Sequence, residues 1–377
     1  MGEEKRAFTF HGSSPQTPGM TTSTAPGGLT PLVGDGRHDL AAGLARWQGT
    51  DRGRRAVAEA VRAWADAASA LADVLAAAPL RALAPDAAAD PDAEGAAVRA
   101  LARTRWLAGL AQAPVRAVYT EGAPGPVDIE PHGDLVAVLD VLEAPSGLDL
   151  DVPAAAVFGL LPAVRSDTED GPFLQSGDEL LAAGAVVFGT ATCLLLTVRD
   201  GTDVFVRDPR SSRWLLAERG VATPAESSEF AVDASNARHW RPGVQTYVKD
   251  LVSGSGGPRE RDYTMRWTGS YVAEANRIIR RGGVLVDPSD ARPGHEQGRL
   301  GLLCQANPLA LLCEQAGGQA TNGVDRVLSI APTSLDQRVP MVLGSSSKVE
   351  RVRRYVTDPQ TKHEQSPLFS SRGLFRD

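Results

Sequence analysis

Two carboxylates three residues apart, Asp140 and Glu143, end an apolar run, Asp134-Leu-Val-Ala-Val-Leu139. The run has the composition of a strand buried on both faces. Acids at the C-terminal end of such a strand stand where α/β sheets place their active sites. Leu142 lies between them, and Ala144, Pro145, Ser146, Gly147 and Asp149 follow as a loop. Taken alone, the segment also reads as an ordinary acidic turn. Other polar groups are spread along the chain: Glu121 behind a short strand Val115–Tyr119, then Asp233, Arg266, Asp287, Arg299 and Gln305. Arginine is the side chain suited to a two-pronged contact with a phosphate.

The chain that must position them has 377 residues, 42% of them hydrophobic, enough for two modest domains with a sizeable core. A formal charge of -7 gives no general affinity for nucleic acid or an anionic membrane, so a phosphorylated ligand would need a local basic pocket or a cation. Cys193, Cys304 and Cys313 form no C-x-x-C pair, which argues against a disulfide framework or a cysteine zinc site; all three read as buried packing residues. No run reaches the length of a membrane span and no apolar signal region opens the chain, so a cytoplasmic protein is expected.

Residues 1–37, rich in Gly, Ser, Thr and Pro, read as a disordered extension. Residues 38–80 carry apolar positions at helical spacing, broken near Gly49-Thr-Asp51, and predict two helices. Residues 81–95 read as a loop. Phe173 to Gly184 reads as the start of a capped helix, with Ser176 or Asp178 at the cap. Strands are expected over 186–188, 191–198, 204–206 and 215–218, with a hairpin turn at Gly201. The division of the chain is expected near residue 225: an N-terminal α/β domain over 38–225, a second domain over 226–357 and a tail over 358–377.

The arrangement resembles the class 1 fructose-1,6-bisphosphatase family. Residues 140–149 stand where that family reads D-P-L-D-G-S-S-N-I-D; Asp140, Leu142, Ser146 and Asp149 are kept, while Glu143, Ala144, Pro145 and Gly147 are changed. Phe230 to Trp240 is similar to S-I-N-E-G-N-x-R-x-W, and Tyr263 to Arg277 to Y-x-x-R-Y-x-G-S-x-V-A-D-x-H-R. Gly282 to Pro288 is similar to G-G-I-x-x-Y-P, and Gly298 to Leu309 to G-K-L-R-L-L-Y-E-A-N-P-M. Pro332 to Ser345 is similar to P-T-S-x-H-Q-R-x-P-L-x-x-G-S. The resemblance spans roughly residues 95–376 and is strongest from 173 onward.

It implies an α/β fold of layered αβαβα type with two domains, a homo-oligomer (a tetramer in the family), and Mg²⁺-dependent hydrolysis of the 1-phosphate of fructose 1,6-bisphosphate. The implied metal ligands are Glu121, Asp140, Glu143, Gln305 and the carbonyl of Leu142, with Glu121, Asp140 and Glu143 catalytic. The implied substrate contacts are residues 143–146 (Glu143, Ala144, Pro145 and Ser146) with Asp233, Arg266, Trp267 and Arg299. Several of these depart from the family. Glu143 replaces an Asp, Gln305 a Glu, Asp233 an Asn, Trp267 a Tyr, Asp287 a Tyr, and Ala102 the Asp that helps activate water. One added methylene moves a carboxylate by about an ångström, a misplacement that can cost roughly 100-fold in rate. Fewer Mg²⁺ ions than usual, or none, are therefore expected. A catalytically impaired paralogue that binds a sugar phosphate or partners an active subunit, and a phosphatase for a different sugar phosphate, stand as alternatives.

Overall fold

The computed structural model describes residues 39–77, 91–143 and 152–358. The expected N-terminal extension, the loop residues Ala144, Pro145, Ser146 and Asp149, and the tail beyond Asp358 lie outside the described residues. Helix α1 spans Leu40–Gln48 and α2 spans Arg52–Ala76. Asp39 caps the first by accepting from the Ala41 amide, and Asp51 caps the second by accepting from the Arg54 amide, both at 2.7 Å. Helix α3, Pro91–Leu110, begins four residues before the expected end of the loop, with Pro91 in its first turn, where a missing N–H costs nothing.

An eight-stranded sheet follows in the order β2-β1-β3-β4-β5-β6-β7-β8. Its strands are β1 (Val115–Thr120), β2 (Val127–Asp128), β3 (Leu135–Glu143), β4 (Ala154–Pro162), β5 (Ala182–Phe188), β6 (Thr192–Thr197), β7 (Thr202–Arg207) and β8 (Trp214–Glu218). Only β1 and β3 pair in parallel. A five-stranded sheet has the order β10-β9-β11-β15-β13. It uses β9 (Glu229–Val232), β10 (Thr264–Met265), β11 (Val284–Asp287), β13 (Gln319–Thr321) and β15 (Met341–Gly344). Strands β12 (Leu300–Gly301) and β14 (Arg338–Val339) form a separate pair.

Side-chain alternation sorts these elements into layers. Leu135, Ala137 and Leu139 of β3 face α1–α3, where Trp64 stacks on Trp106 at 4.8 Å and meets Phe158 at 4.3 Å. Val136 and Val138 face the other way, onto α5 (Tyr271–Arg281) and α6 (Asn307–Gln315). Leu285 and Leu343 of the second sheet cover those helices from beyond. Its outer face, through Phe230, Val286 and Val342, packs on α4 (Pro242–Val252) and α7 (Ser346–Thr357). The five layers are thus αβαβα.

Two local expectations change. Phe173 to Gly184 does not start a helix: a 3₁₀ turn at Gly177–Glu179 leads directly into β5. Ser176 makes no side-chain cap bond, and the Asp178 carboxylate instead accepts from Arg326 at 2.8 Å. Four consecutive small residues, Ala182 to Ala185, open the strand; a Cβ on Gly184 would meet Phe158 at 2.2 Å. Cys193 is only half-buried, whereas Cys304 and Cys313 are buried.

Candidate active site

Strand β3 is buried along all nine residues and runs on through the two acids rather than ending before them. Its pairing with β4 shifts register between Asp140 and Glu143, a bulge of the kind that re-aims side chains at sheet ends. Helix α3 holds the bulge from behind, because Trp106 donates its indole N–H to the Val141 carbonyl at 2.8 Å. Opposite lies a π-turn, Leu302–Ala306, which carries Gln305 immediately before α6. Glu121 arrives from the end of parallel β1, its amide donating to the Leu139 carbonyl at 2.8 Å. A Cβ on Gly301 would meet the Glu121 carboxylate at 2.2 Å, so a side chain there would have to push this acid aside.

These segments enclose a cleft of about 340 Å³, within the range of small-molecule sites. Asp140, Glu121, Glu143, Gln305 and Arg299 line it together with Arg99, Tyr271 and Arg338. Of the described substrate contacts implied by resemblance, Asp233, Arg266 and Trp267 are not among the lining residues. Arg266 pairs with Glu229 at 3.3 Å, and Trp267 packs edge-on against Tyr271 at 5.1 Å.

The acids are already engaged. Asp140 is almost wholly buried; Oδ1 accepts from Arg99 Nη2 at 3.3 Å, and Oδ2 accepts from Gln305 Nε2 at 2.7 Å. Arg99 Nη1 donates to the Leu142 carbonyl at 3.0 Å. Gln305 Oε1 accepts from the Gly301 amide at 2.9 Å, so its oxygen is turned away from Asp140. Glu121 pairs with Arg338 at 2.8 Å. Glu143 reaches to the first turn of α5, accepting from Ser270 Oγ at 2.6 Å, the Tyr271 amide at 2.7 Å and the Val272 amide at 3.0 Å. A carboxylate suits a helix N-terminus, where unpaired amides and the macrodipole favour negative charge. Burial raises the pKa of Glu121, Asp140 and Glu143, the last to about 7.

The far wall holds Arg299. Its guanidinium donates to Asp287 Oδ1 through Nε at 3.0 Å and Nη2 at 2.6 Å, and to Asp233 Oδ2 at 3.2 Å. It also lies over the Tyr271 ring at 5.4 Å, and the Tyr271 hydroxyl donates to the same Asp287 oxygen at 2.8 Å. Asp287 is fully buried and its pKa is raised by that burial. For Asp233, burial works upward, but hydrogen bonds from Ser235 and Arg299 outweigh it and hold the group below its ordinary value.

Mg²⁺ demands near-octahedral oxygen coordination, usually one or two carboxylates completed by waters and substrate phosphates. The donors implied by resemblance do not fit it as arranged: both Asp140 oxygens, the Leu142 carbonyl and the Glu143 carboxylate accept from protein N–H or O–H groups. Two unit charges 4 Å apart repel by about 4 kcal/mol at an effective dielectric of ~20, and a divalent ion beside a guanidinium doubles that. Among the described residues, no group of three His, Cys, Asp or Glu side chains is arranged to hold a metal.

Arg99, Arg338, Ser270 and Tyr271 were not among the sequence-derived site residues. Ser270 and Tyr271 follow Gly269 inside the quoted G-S motif. Arg338 lies in the quoted Q-R motif, and Arg99 stands one helical turn before Ala102. Membership of those motifs was the available signal for Ser270, Tyr271 and Arg338.

The family profile described as "Fructose-1-6-bisphosphatase, N-terminal domain" matches residues 111–219, and that described as "Fructose-1-6-bisphosphatase, C-terminal domain" matches residues 223–357. Over 274 residues the chain is 43% identical to the class 1 fructose-1,6-bisphosphatase of Sinorhizobium medicae, covering 72% of this chain and 78% of that protein. Over 319 residues it is 41% identical to one from Xanthobacter autotrophicus, covering 83% and 97%. The crystal structure of Leishmania major fructose-1,6-bisphosphatase in holo form superposes with a TM-score of 0.76 at 24% identity, covering 84% of this chain and 98% of that one, a likeness of fold. The five-layer fold, both matched domains and these relatives make the chain a member of the class 1 fructose-1,6-bisphosphatase family.

Proposed function

We propose that the chain is a phosphoric monoester hydrolase of the fructose-1,6-bisphosphatase type, binding a phosphorylated sugar in the cleft beside Asp140. One observation carries the reading: in a chain of net charge -7, Arg99, Arg299 and Arg338 come from three separate segments to one cleft. These guanidinium groups, each paired with an acid, are the local positive charge that a phosphate needs in an acidic protein. Guanidinium groups stabilise charge on phosphoryl oxygens. A carboxylate at the same site can take a proton from the attacking water. Water oxygen bonds to phosphorus, the sugar–oxygen–phosphorus bond breaks, and the leaving sugar oxygen takes a proton. Glu121 and Asp140 are the acids we assign to this proton traffic. The named substrate of the relatives, fructose 1,6-bisphosphate, is the first to test. We further propose a domain division near residue 225 and a cytoplasmic homo-oligomer.

Purified protein mixed with fructose 1,6-bisphosphate and a panel of sugar monophosphates is expected to release phosphate from at least one. Release should fall to background in Asp140→Asn. Absence of release from every member of the panel would refute hydrolysis. A second reading, sugar-phosphate binding without turnover, draws on a specific observation: Glu143 and Asp140 spend their oxygens on protein donors. It predicts saturable binding with no release.

A further inference from the structure

We propose that the cation of this cleft is built into the chain: the Arg99 guanidinium, assisted by Arg338, holds the position that a divalent metal would take. The inference rests on the sugar-phosphate reading for its ligand but not for its geometry. Arg99 spans two acceptors, Asp140 Oδ1 at 3.3 Å and the Leu142 carbonyl at 3.0 Å. These flank the β3 bulge, and family resemblance would give both to a metal. The second Asp140 oxygen is closed by Gln305 Nε2 at 2.7 Å. A glutamate at that position would have repelled Asp140; the amide donates to it and is locked by the Gly301 amide at 2.9 Å. Arg338 neutralises Glu121 at 2.8 Å and is itself fixed by donating to the Arg299 carbonyl at 2.8 Å.

Charge closes the same way. Arg99 and Arg338 contribute two positive charges, Asp140 and Glu121 two negative ones, and Glu143 is held by the neutral donors at the start of α5. A divalent ion added there would stand beside two guanidinium groups with Glu143 as the one acid not already paired with a cation. The guanidinium groups are not spent by these pairings. The Arg99 side chain is 36% exposed and that of Arg338 is 37%, whereas their acids are 2% and 8% exposed. Each arginine therefore lines the cleft with part of its side chain exposed while its acid is buried. Such a pair is suited to the oxygens of a phosphate monoester, and the positive charge is present without any ion being bound.

The test is a Mn²⁺ titration of the full-length protein, followed by electron paramagnetic resonance of the free ion. The unaltered protein is expected to leave added Mn²⁺ free. The Arg99→Ala, Gln305→Glu variant, which removes the guanidinium and returns an acid, is expected to acquire a saturable site. Arg99→Lys keeps the charge and is expected to behave as the unaltered protein, which separates a cation effect from a folding defect. In chelator, Arg99→Ala should weaken inorganic phosphate binding by roughly tenfold or more, with Arg99→Lys weakened less. A saturable Mn²⁺ site in the unaltered protein that disappears in Asp140→Asn would overturn the proposal. Failure of every sugar phosphate to bind would refute the function proposed above and leave the Mn²⁺ result standing.

Discussion

Replacing Arg299 by alanine is expected to lower folding stability by about 3–5 kcal/mol, the range for removing one partner of a buried ion pair. Asp287 is 0% exposed and receives three donors on a single oxygen, two of them from Arg299. Its other oxygen already has no hydrogen-bond partner among the described residues. Without Arg299 the carboxylate keeps only the Tyr271 hydroxyl, and Asp233 loses its guanidinium contact as well. Urea denaturation should show a lower midpoint with an unchanged slope. The double variant Arg299→Ala, Asp287→Ala should regain much of the loss, because the uncompensated acid goes with its partner. A single variant as stable as the parent would show that the clamp is not formed. The same clamp bears on ligand choice. Asp233 and Asp287 already satisfy Arg299, so a second phosphate arriving there would have to displace two acids.

Glu143→Ala is expected to cost about 3 kcal/mol. The substitution strands the Ser270 hydroxyl and the Tyr271 and Val272 amides at the start of α5, and hydrogen bonds to a charged group contribute roughly 1.5–3 kcal/mol each, not additively. Glu143→Asp, which restores the family residue, shortens the side chain by one methylene and draws the carboxylate back from α5. It should destabilise as well, though less than alanine. Thermal unfolding of both variants beside the parent checks the order parent, Asp, Ala. Asp as stable as Glu would show that the reach to α5 contributes nothing.

How much of this was legible in the sequence depends on the range over which each signal acts. Helices α1 and α2 were readable because their break, at Gly49-Thr-Asp51, is local chemistry and their apolar spacing is regular. The layered fold was readable through the family motifs, not through periodicity. Phe173 to Gly184 misled because a Ser-x-Asp-Glu pattern ahead of apolar residues looks like a helix cap. The small residues Ala182, Ala183, Gly184 and Ala185 fit a strand packed on Phe158 equally well. At the site, the acids were visible one by one, but their partners were not. Arg99 meets Asp140 across 41 residues, Gln305 meets it across 165, and Ser270 meets Glu143 across 127. No spacing rule reaches that far. The sequence comparison saw the losses at Gln305 and Asp233 as separate changes; the structure joins each to a resident donor, Gln305 to Asp140 and Asp233 to Arg299.

The most direct measurement is calorimetric titration of the purified full-length protein with fructose 1,6-bisphosphate, once in excess chelator and once in Mg²⁺. The phosphorylated sugar is expected to be bound by the chain's own guanidinium groups. Saturable binding in chelator, the same isotherm in Mg²⁺, and binding weakened roughly tenfold or more in Arg99→Ala are the predicted result. Binding that appears only when Mg²⁺ is added would contradict it.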